Sequence, residues 1–584
     1  MNKILLYGVL ALVAVIIAIF IFLGRYTDRV IDPYVRSLLE STKPMGHKIE
    51  YKKIRVNLFQ GSIILKDAKM SPDSVAANKV KFEIEVAEVK LTNFKIWDML
   101  FKKKLLIQDF IIDDPEVKVF LPAITEEVIN EVKEPKAKKP SKQLLKQISL
   151  ERVMIAGGNF KLFRDTMLLA TSDNINFLAK SINLERNSLD EPIGFTYGDI
   201  GLSLMNLDLF AQSGLYDMEI GLFDANKNDS SLVIEGFKMI PKYDKKEFGN
   251  KLKFQTDRFD VNIGRIEITG IGLERWLAGK PLEISSVHID SVKADIYRDK
   301  NVTFDFNRFP PFYNESFMKI PIPLYLDTVI VTNSHIIYGE LVAEHPVAGT
   351  IILENFNLQS YGLTNQVADD TIDNVMKFNI QAKVMGEGDM NVELILPLEG
   401  NMHDFECSGS VGAMRLSPLN DMLLPSIGMK FIDGKVDRMT FYFNANDNFS
   451  NGWMEFLYHD VKVELLKKDP DKQWGFVSSL ATAVAMTENP PEGKELKIVA
   501  IGYERDKNKG IINYVWRTIQ SGMVRTIIPT KKYQINKEEA AAKNKLYRKE
   551  ARTDKKLMNQ DEQTEKAKAK ELEKTKEPEK KKKK

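Results

Sequence analysis

The stretch "LLIQDFIIDDPEVKVF", Leu105 to Phe120, alternates apolar and polar residues, breaks at "DDP", and alternates again. Alternation with a period of two puts every second side chain on one face and marks a half-buried strand. Near the middle of the chain "LEISSVHIDSVKADIY", Leu282 to Tyr297, has almost the same shape, 177 residues further on. Without a gap, Val86–Phe120 lies over Ile263–Tyr297 with seven identities in 35 positions. The apolar register carries more weight than the identities. Val86, Val89, Leu91, Phe94, Ile96, Met99 and Leu100 meet Ile263, Ile266, Ile268, Ile271, Leu273, Trp276 and Leu277, apolar on both sides throughout.

The echo extends outward. "SIILKDAKMSP" at Ser62 matches "SLVIEGFKMIP" at Ser231, "LERVMIAGGNFKLF" at Leu150 matches "LDTVIVTNSHIIYG" at Leu326, and "SINLE" at Ser181 is set against "NFNLQ" at Asn355. Two tandem units of roughly 175 residues are expected, the long-period self-similarity of an array. In both units the apolar phase jumps by three, from Val86 to Val89 and from Ile263 to Ile266, which predicts a bulge or bend at the same place. "IWDMLFKKK" and "LERWLAGK" are the only short helical interruptions within a unit, so no long helices are available to cover a parallel sheet. The expected fold class is mainly β: an elongated antiparallel β-groove of two repeats, with short helices.

"ILLYGVLALVAVIIAIFIFL", Ile4 to Leu23, is 20 residues without a charge, long enough to cross the roughly 30 Å hydrocarbon core of a bilayer. It ends in "FLGRYTDR" without a small-x-small cleavage pattern, so an uncleaved N-terminal transmembrane helix is expected. The chain has 83 basic and 81 acidic residues, a balance that gives no support to a nucleic-acid partner. The basic excess is local. Asn536–Lys584 carries a net of +7 and leaves −5 for the remainder, marking a lysine-rich tail, helical or disordered. The lone Cys407 excludes an intramolecular disulfide and a multi-cysteine metal site.

The expected segments are a transmembrane anchor over 1–26, a juxtamembrane segment over 27–47, β repeats over 48–230 and 231–401, a partial repeat over 402–470, an α/β end cap over 471–530 and a basic low-complexity tail over 531–584. "TEEVINEVKEPKAKKPSKQLLKQ", Thr125 to Gln147, reads as an exposed loop joining two strands of the first repeat. In the cap, "WGFVSSLATAVAM" and "GIINYVWRTIQSGMVRTIIP" read as helices around the strand "ELKIVAIGYE". The second helix groups Ile512, Val515, Ile519, Met523 and Ile527 on one face.

Catalytic signals are lacking. His47, His288, His335, His345, His403 and His459 show no metal-ligating or triad spacing, and no phosphate-binding glycine loop accompanies a strand-to-helix turn. Asp224, Asn226, Asn228 and Glu235 match positions 1, 3, 5 and 12 of a calcium loop, but position 6 is Asp229 where glycine is needed and the flanks alternate as strands. A hairpin turn is the better reading. No catalytic residue, cofactor or metal is expected.

A stack of strands with one apolar face must bury that face against a second sheet or curl it into a gutter that holds something else, such as acyl chains. The expected lining is Val80, Phe82, Ile84, Val86, Val89, Leu91, Leu105, Ile107, Phe110 and Ile112 in the first unit, and Ile263, Ile266, Ile268, Leu282, Ile284, Val287 and Ile289 in the second. About 20 strands at ~4.8 Å would make a groove on the order of 100 Å long.

The N-terminal anchor, the strands "VNLFQGSIILKDAKM" and "KVKFEIEVAEVKL", the short helix "IWDMLFKKK" and "LLIQDFIIDDPEVKVFLP" together resemble the N-terminal region of the AsmA-like envelope proteins, the AsmA/TamB/YhdP group. That family is related to the chorein-type bridge proteins built from repeating β-grooves. The resemblance implies inner-membrane anchoring through a single pass, a body in the periplasm of a double-membraned bacterium, and carriage of phospholipid toward the outer membrane or maintenance of its lipid balance. It also implies an outer-membrane or envelope protein partner. A non-enzymatic envelope scaffold or outer-membrane assembly factor is the alternative. The long lysine-rich tail and the modest length depart from the family pattern.

Overall fold

A computed structural model describes residues 47–57, 61–73, 80–93, 104–122, 147–185, 196–211, 213–342, 346–366, 375–468, 476–478 and 486–527, with isolated positions between. The transmembrane stretch Ile4–Leu23, nearly all of the loop Thr125–Gln147 and the tail lie outside these residues. Among the described residues no helix is long and apolar enough to cross a membrane. They fall into two compact units. The first runs to Phe306 and adds Tyr313–Gly386 and Pro397–Gly400, and the second holds Asn307–Phe312, Glu387–Leu396 and the chain from Asn401.

The fold is mainly β, and antiparallel pairing dominates. The first unit opens with β1 (His47–Glu50), β2 (Lys53–Asn57), β3 (Ser62–Pro72) and β4 (Lys81–Thr92). The quoted stretch follows as β5 (Lys104–Asp113) and β6 (Glu116–Leu121), split where Asp114 takes a left-handed backbone and Pro115 has no N–H to give the ladder. Next come β7 (Gln147–Ala156), β8 (Asn159–Arg164), β9 (Met167–Glu185), β10 (Ile200–Phe210), β11 (Tyr216–Asn226), β12 (Ser231–Pro241), β13 (Asp257–Thr269) and β14 (Leu282–Asp299). The unit closes with β15 (Leu324–Leu341), β16 (Gly349–Thr364) and β17 (Val375–Val384). Its described helices are short: α1 (Lys245–Asn250), α2 (Leu273–Leu277) and α3 (Tyr313–Met318), with isolated helical positions at Arg36, Asp98 and Lys102.

Each strand from β3 onward pairs with its successor, β5 and β6 acting as one strand and β7 and β8 as another. Two junctions depart from the expected antiparallel pattern. β5 and β6 run parallel to β7 and β8, and β14 runs parallel to β15. From β3 to β17 this makes thirteen adjacent strands, or about 58 Å at ~4.8 Å per step, in this unit.

The two parallel junctions occupy corresponding places, and the registers around them recur. Val89 faces Ile112 and Ile84 faces Val117; 177 residues on, Ile266 faces Ile289 and Val261 faces Ala294. Left-handed backbone recurs in step as well, at Asp67 and Gly236, Asn93 and Gly270, Asp114 and Ser291, Gly157 and Asn333, and Ser181 and Gly362. The last pair corrects the sequence alignment. Ile182 faces Leu150, whereas Leu326, which stands at the place of Leu150, faces Leu363, so "SINLE" does not correspond to Asn355–Gln359.

The second unit is built from β18 (Gly388–Pro397), β19 (Phe405–Val411), β20 (Met414–Arg415), β21 (Met429–Ala445), β22 (Ser450–Lys468), β23 (Phe476–Ser478) and β24 (Ile498–Ile501), with helices α4 (Asn420–Ile427) and α5 (Ile511–Ile527). Phe476–Ser478 pairs with β22 as a strand, where a helix was expected. This unit has a well-buried core: Phe431, Phe441, Phe443, Met454, Phe456, Tyr458 and Ile501 are all almost completely buried.

Candidate functional site

The jump of three in apolar phase is the feature that shapes the first unit. It recurs on strand after strand, at a level where ladder partners flank a left-handed or glycine residue. Asp67 sits between the pairs Lys66–Glu88 and Ala68–Val86, Asn206 between Met205–Leu222 and Leu207–Ile220, and Gly236 between Glu235–Arg265 and Phe237–Ile263. A left-handed residue turns the chain and resets the pleat, as in a bulge. Residues three apart across this crease therefore face the same way. Val86 and Val89 are both buried in one cluster with Tyr51, Ile54 and Ala68, and Leu204 and Leu207 share another with Ala170, Ile175 and Ile220.

On one side of the crease a row of direct cross-strand neighbours runs Leu65–Val89–Ile112–Ile155–Phe177–Leu202–Ala225–Leu232–Ile268–Val287–Val329. On the other side runs Met70–Ile84–Val117–Phe160–Ser172–Leu207–Ile220. Together they make an apolar floor, and most of its side chains are only half-buried. Ser172 interrupts the second row without leaving a polar group exposed to it, because its hydroxyl donates to the Met205 carbonyl at 2.6 Å. Ser360 ends the first row opposite Val329, fully buried, and its hydroxyl has no hydrogen-bond partner among the described residues.

One position over, the opposite face carries charge. Lys66 pairs with Glu88, Lys90 with Asp113 at 2.9 Å, Lys238 with Glu219 at 3.1 Å, and Arg265 with Glu235. Exposed cross-strand pairs of this kind stabilise little individually, but they keep one face in water and fix which face that is.

Most of the expected lining falls on this floor. Ile84, Val86, Val89, Leu91, Phe110 and Ile112 are joined by direct pairing in the first set of strands, as are Ile263, Ile266, Ile268, Val287 and Ile289 with their neighbours in the second. Phe82 pairs with Val119. Val80 lies just ahead of β4 and is exposed, at the rim. Leu105, Ile107, Leu282 and Ile284 lie beyond a second level of left-handed residues, Asn93 and Gly270, and are held in the parallel junctions opposite Ile148, Leu150, Leu324 and Leu326. Ile107 there is buried.

A polar group missed in sequence stands at the end of the second set of strands. Arg298 grips Asp257 with two hydrogen bonds of 2.7 and 2.6 Å, Lys300 pairs with Glu340, and the Tyr338 hydroxyl donates to Glu340 at 3.1 Å. Burial, reinforced by the Glu340 charge, pushes the Tyr338 phenol above its ordinary range. The only sequence signal for this group would have been the register itself, which brings together residues about 40 positions apart.

Elsewhere, Asn226 Oδ1 accepts from the Asn228 and Asp229 amides between β11 and β12, so the calcium-like string is a hairpin turn. His288 hydrogen-bonds Thr332 at 2.8 Å, and Thr332 donates to Asp290 at 2.7 Å. Cys407 is buried, which raises its thiol to about 12. Among the described residues no group of three or more His, Cys, Asp or Glu side chains is placed to hold a metal ion. No protein-family model matches the chain, and no curated protein matches it.

Proposed function

We propose that this chain is a membrane-anchored, non-enzymatic lipid carrier of the AsmA-like kind, in which acyl chains lie on the apolar floor of the first unit. The observation that carries the reading is the row from Leu65 to Val329: a single apolar line shared by successive strands, half-exposed, and backed by a face of ion pairs. A floor of this size has a cost in water of about 25 cal/mol per Å² of apolar surface, so an amphiphile that covers it is stabilised by the same amount. The recurrence of registers and left-handed positions supports a duplicated unit, which extends a floor without changing its chemistry. Ile4–Leu23 anchors the chain in the inner membrane, with the body in the periplasm of a double-membraned bacterium. Phospholipid moves passively along the floor toward the outer membrane, with an envelope protein receiving it.

Native mass spectrometry of the detergent-purified full chain should find phospholipid bound. Ile84→Asp combined with Ile266→Asp, in a protein whose circular dichroism is unchanged, should abolish that occupancy and fail to restore outer-membrane integrity in a deletion strain. A lipid-free wild type, or a double variant that restores integrity, would favour a scaffold or assembly factor instead.

A further inference from the structure

The corresponding ends of the two sets of strands differ in one respect. In the second set the rim residues Asp257, Arg298 and Glu340 are side by side in the ladder, and their charges are spent on one another and on Lys300. At the matching places in the first set stand Val80, Leu121 and Arg164, with Leu121 paired directly to Arg164. Two of three charges are gone, and the one left is a cation.

The Arg164 side chain is half-buried and makes no hydrogen bond or ion pair with any described residue, and its Nε is fully buried without an acceptor among them. The other described arginines of comparable burial in this unit are engaged: Arg258 with the Tyr243 carbonyl, Arg265 with Glu235 and Arg298 with Asp257. The unbroken register with β6, where Val117, Val119 and Leu121 pair with Phe160, Leu162 and Arg164, puts Arg164 on the side of Phe160 and Leu162, which pack on the apolar cluster of the floor. Its ladder partner Met167 is 38% exposed, as is Val80 on the same rim two strands away. The nearest acidic residue in sequence, Asp165, is turned into a left-handed corner and gives its amide to the Leu121 carbonyl. An unpaired guanidinium beside exposed apolar side chains, at the edge of an apolar floor, has the two chemistries of an anionic amphiphile.

We propose that Arg164 is the headgroup anchor of the first unit: a phosphate-headed lipid lies with its acyl chains on the floor and its phosphate on the Arg164 guanidinium, a pairing that arginine's planar fork suits. The second set of strands, with its rim charges already paired, takes chains but does not select a head. This rests on the lipid reading above and adds to it the charge of the ligand and the place where it is held.

The test uses the detergent-purified full chain and three fluorescent probes carrying the same labelled acyl chain: phosphatidic acid, diacylglycerol and a free fatty acid. Wild type should bind phosphatidic acid more tightly than diacylglycerol. Arg164→Gln should weaken phosphatidic acid about tenfold or more, the scale of a charge-assisted hydrogen-bonded contact, and leave diacylglycerol unchanged. Arg164→Lys should recover part of the loss. If wild type binds none of the probes, the lipid reading fails and the anchor with it. Equal phosphatidic acid binding by wild type and Arg164→Gln leaves the lipid reading intact and overturns the anchor. An equal loss for diacylglycerol makes Arg164 a packing residue and also overturns it. A loss confined to the fatty acid overturns phosphate as the head.

Discussion

Gly158 shows how tightly the crease is specified at the level of one residue. Its φ is +90°, and a Cβ there would stand 2.3 Å from the Pro115 carbonyl oxygen and 2.6 Å from Pro115 Cδ, neither of which can move without breaking the β5–β6 corner. Gly158→Ala should cost about 2–3 kcal/mol in urea denaturation, from strain and overpacking together. Its neighbour differs. Gly157 has φ +69° with nothing within 4 Å of a Cβ, and Asn333 holds left-handed backbone at the corresponding place, so Gly157→Asn should cost less than about 1 kcal/mol. Equal stabilities for the two variants would mean that the close approach to Pro115 constrains nothing. On the same crease Asp290 accepts from the Ser291, Thr332 and Asn333 side chains at 2.6 to 2.7 Å, and these hydrogen bonds lower its carboxyl to about 2. Because the folded value lies below the unfolded one, near 3.9, the stabilisation is complete above pH ~4 and is lost as pH falls toward 2. Asp290→Asn should therefore be less stable than wild type at pH 7, with the gap narrowing across that window in parallel denaturation series.

At the scale of elements, α5 docks by a different face from the one its apolar stripe suggests. Ile511, Tyr514, Thr518, Gly522 and Thr526 are buried, while of the expected stripe Ile512 is 60% exposed, Val515, Ile519 and Met523 are half-buried and only Ile527 is buried. The polar members of that face are satisfied internally. Thr518 and Ser450 share a hydrogen bond of 2.6 Å, and Thr526 donates to the Gly522 carbonyl. Lys497 reaches the carbonyls of Arg525 and Thr526 at the helix C-terminus, where a cation is favoured, although burial lowers its pKa. Gly522 sets the approach, since a Cβ there would lie 2.5 Å from Ile501 and 2.7 Å from the Met454 sulfur. Gly522→Leu should destabilise this unit by about 2–3 kcal/mol or more, whereas Ile512→Lys should stay within about 0.5 kcal/mol; the reverse order in thermal melts would restore the apolar stripe as the docking face. The same scale explains what was readable in the sequence. Strands and the phase jump were, because each rests on local alternation. Parallel pairing was not, since alternation is identical in both directions; the 25-residue connection from Leu121 to Gln147 was the available signal, as parallel neighbours need a long crossover. The misplaced "SINLE" match has the same root. A crease that resets the pleat lets a slip by an odd number still set apolar against apolar. Helices α1 and α3 escaped notice because six residues are too few to show a 3.6-residue period.

For the molecule as a whole, the opposition of charge lies between body and tail. The apolar floor carries little charge and the ion pairs behind it cancel locally, so neither draws the protein to a charged surface over distance. Asn536–Lys584 carries +7 against −5 for everything before it, and in its 49 residues no apolar stripe recurs at helical spacing. If helical it would reach ~70 Å. A segment with that composition gains little by packing on the body and about 1 kcal/mol per basic residue brought close to an anionic bilayer. Removing Lys537–Lys584 should therefore leave the denaturation profile and lipid occupancy unchanged. It should weaken sedimentation with vesicles containing anionic phosphatidylglycerol severalfold at 50 mM salt, and the difference should shrink by 500 mM as the Debye length falls below the reach of a side chain. Binding to neutral phosphatidylcholine vesicles should not change in either salt. Equal sedimentation of the two chains with anionic vesicles at low salt would leave the lysines as a solubilising appendage, and any membrane contact beyond the proposed anchor would then have to come from the folded body.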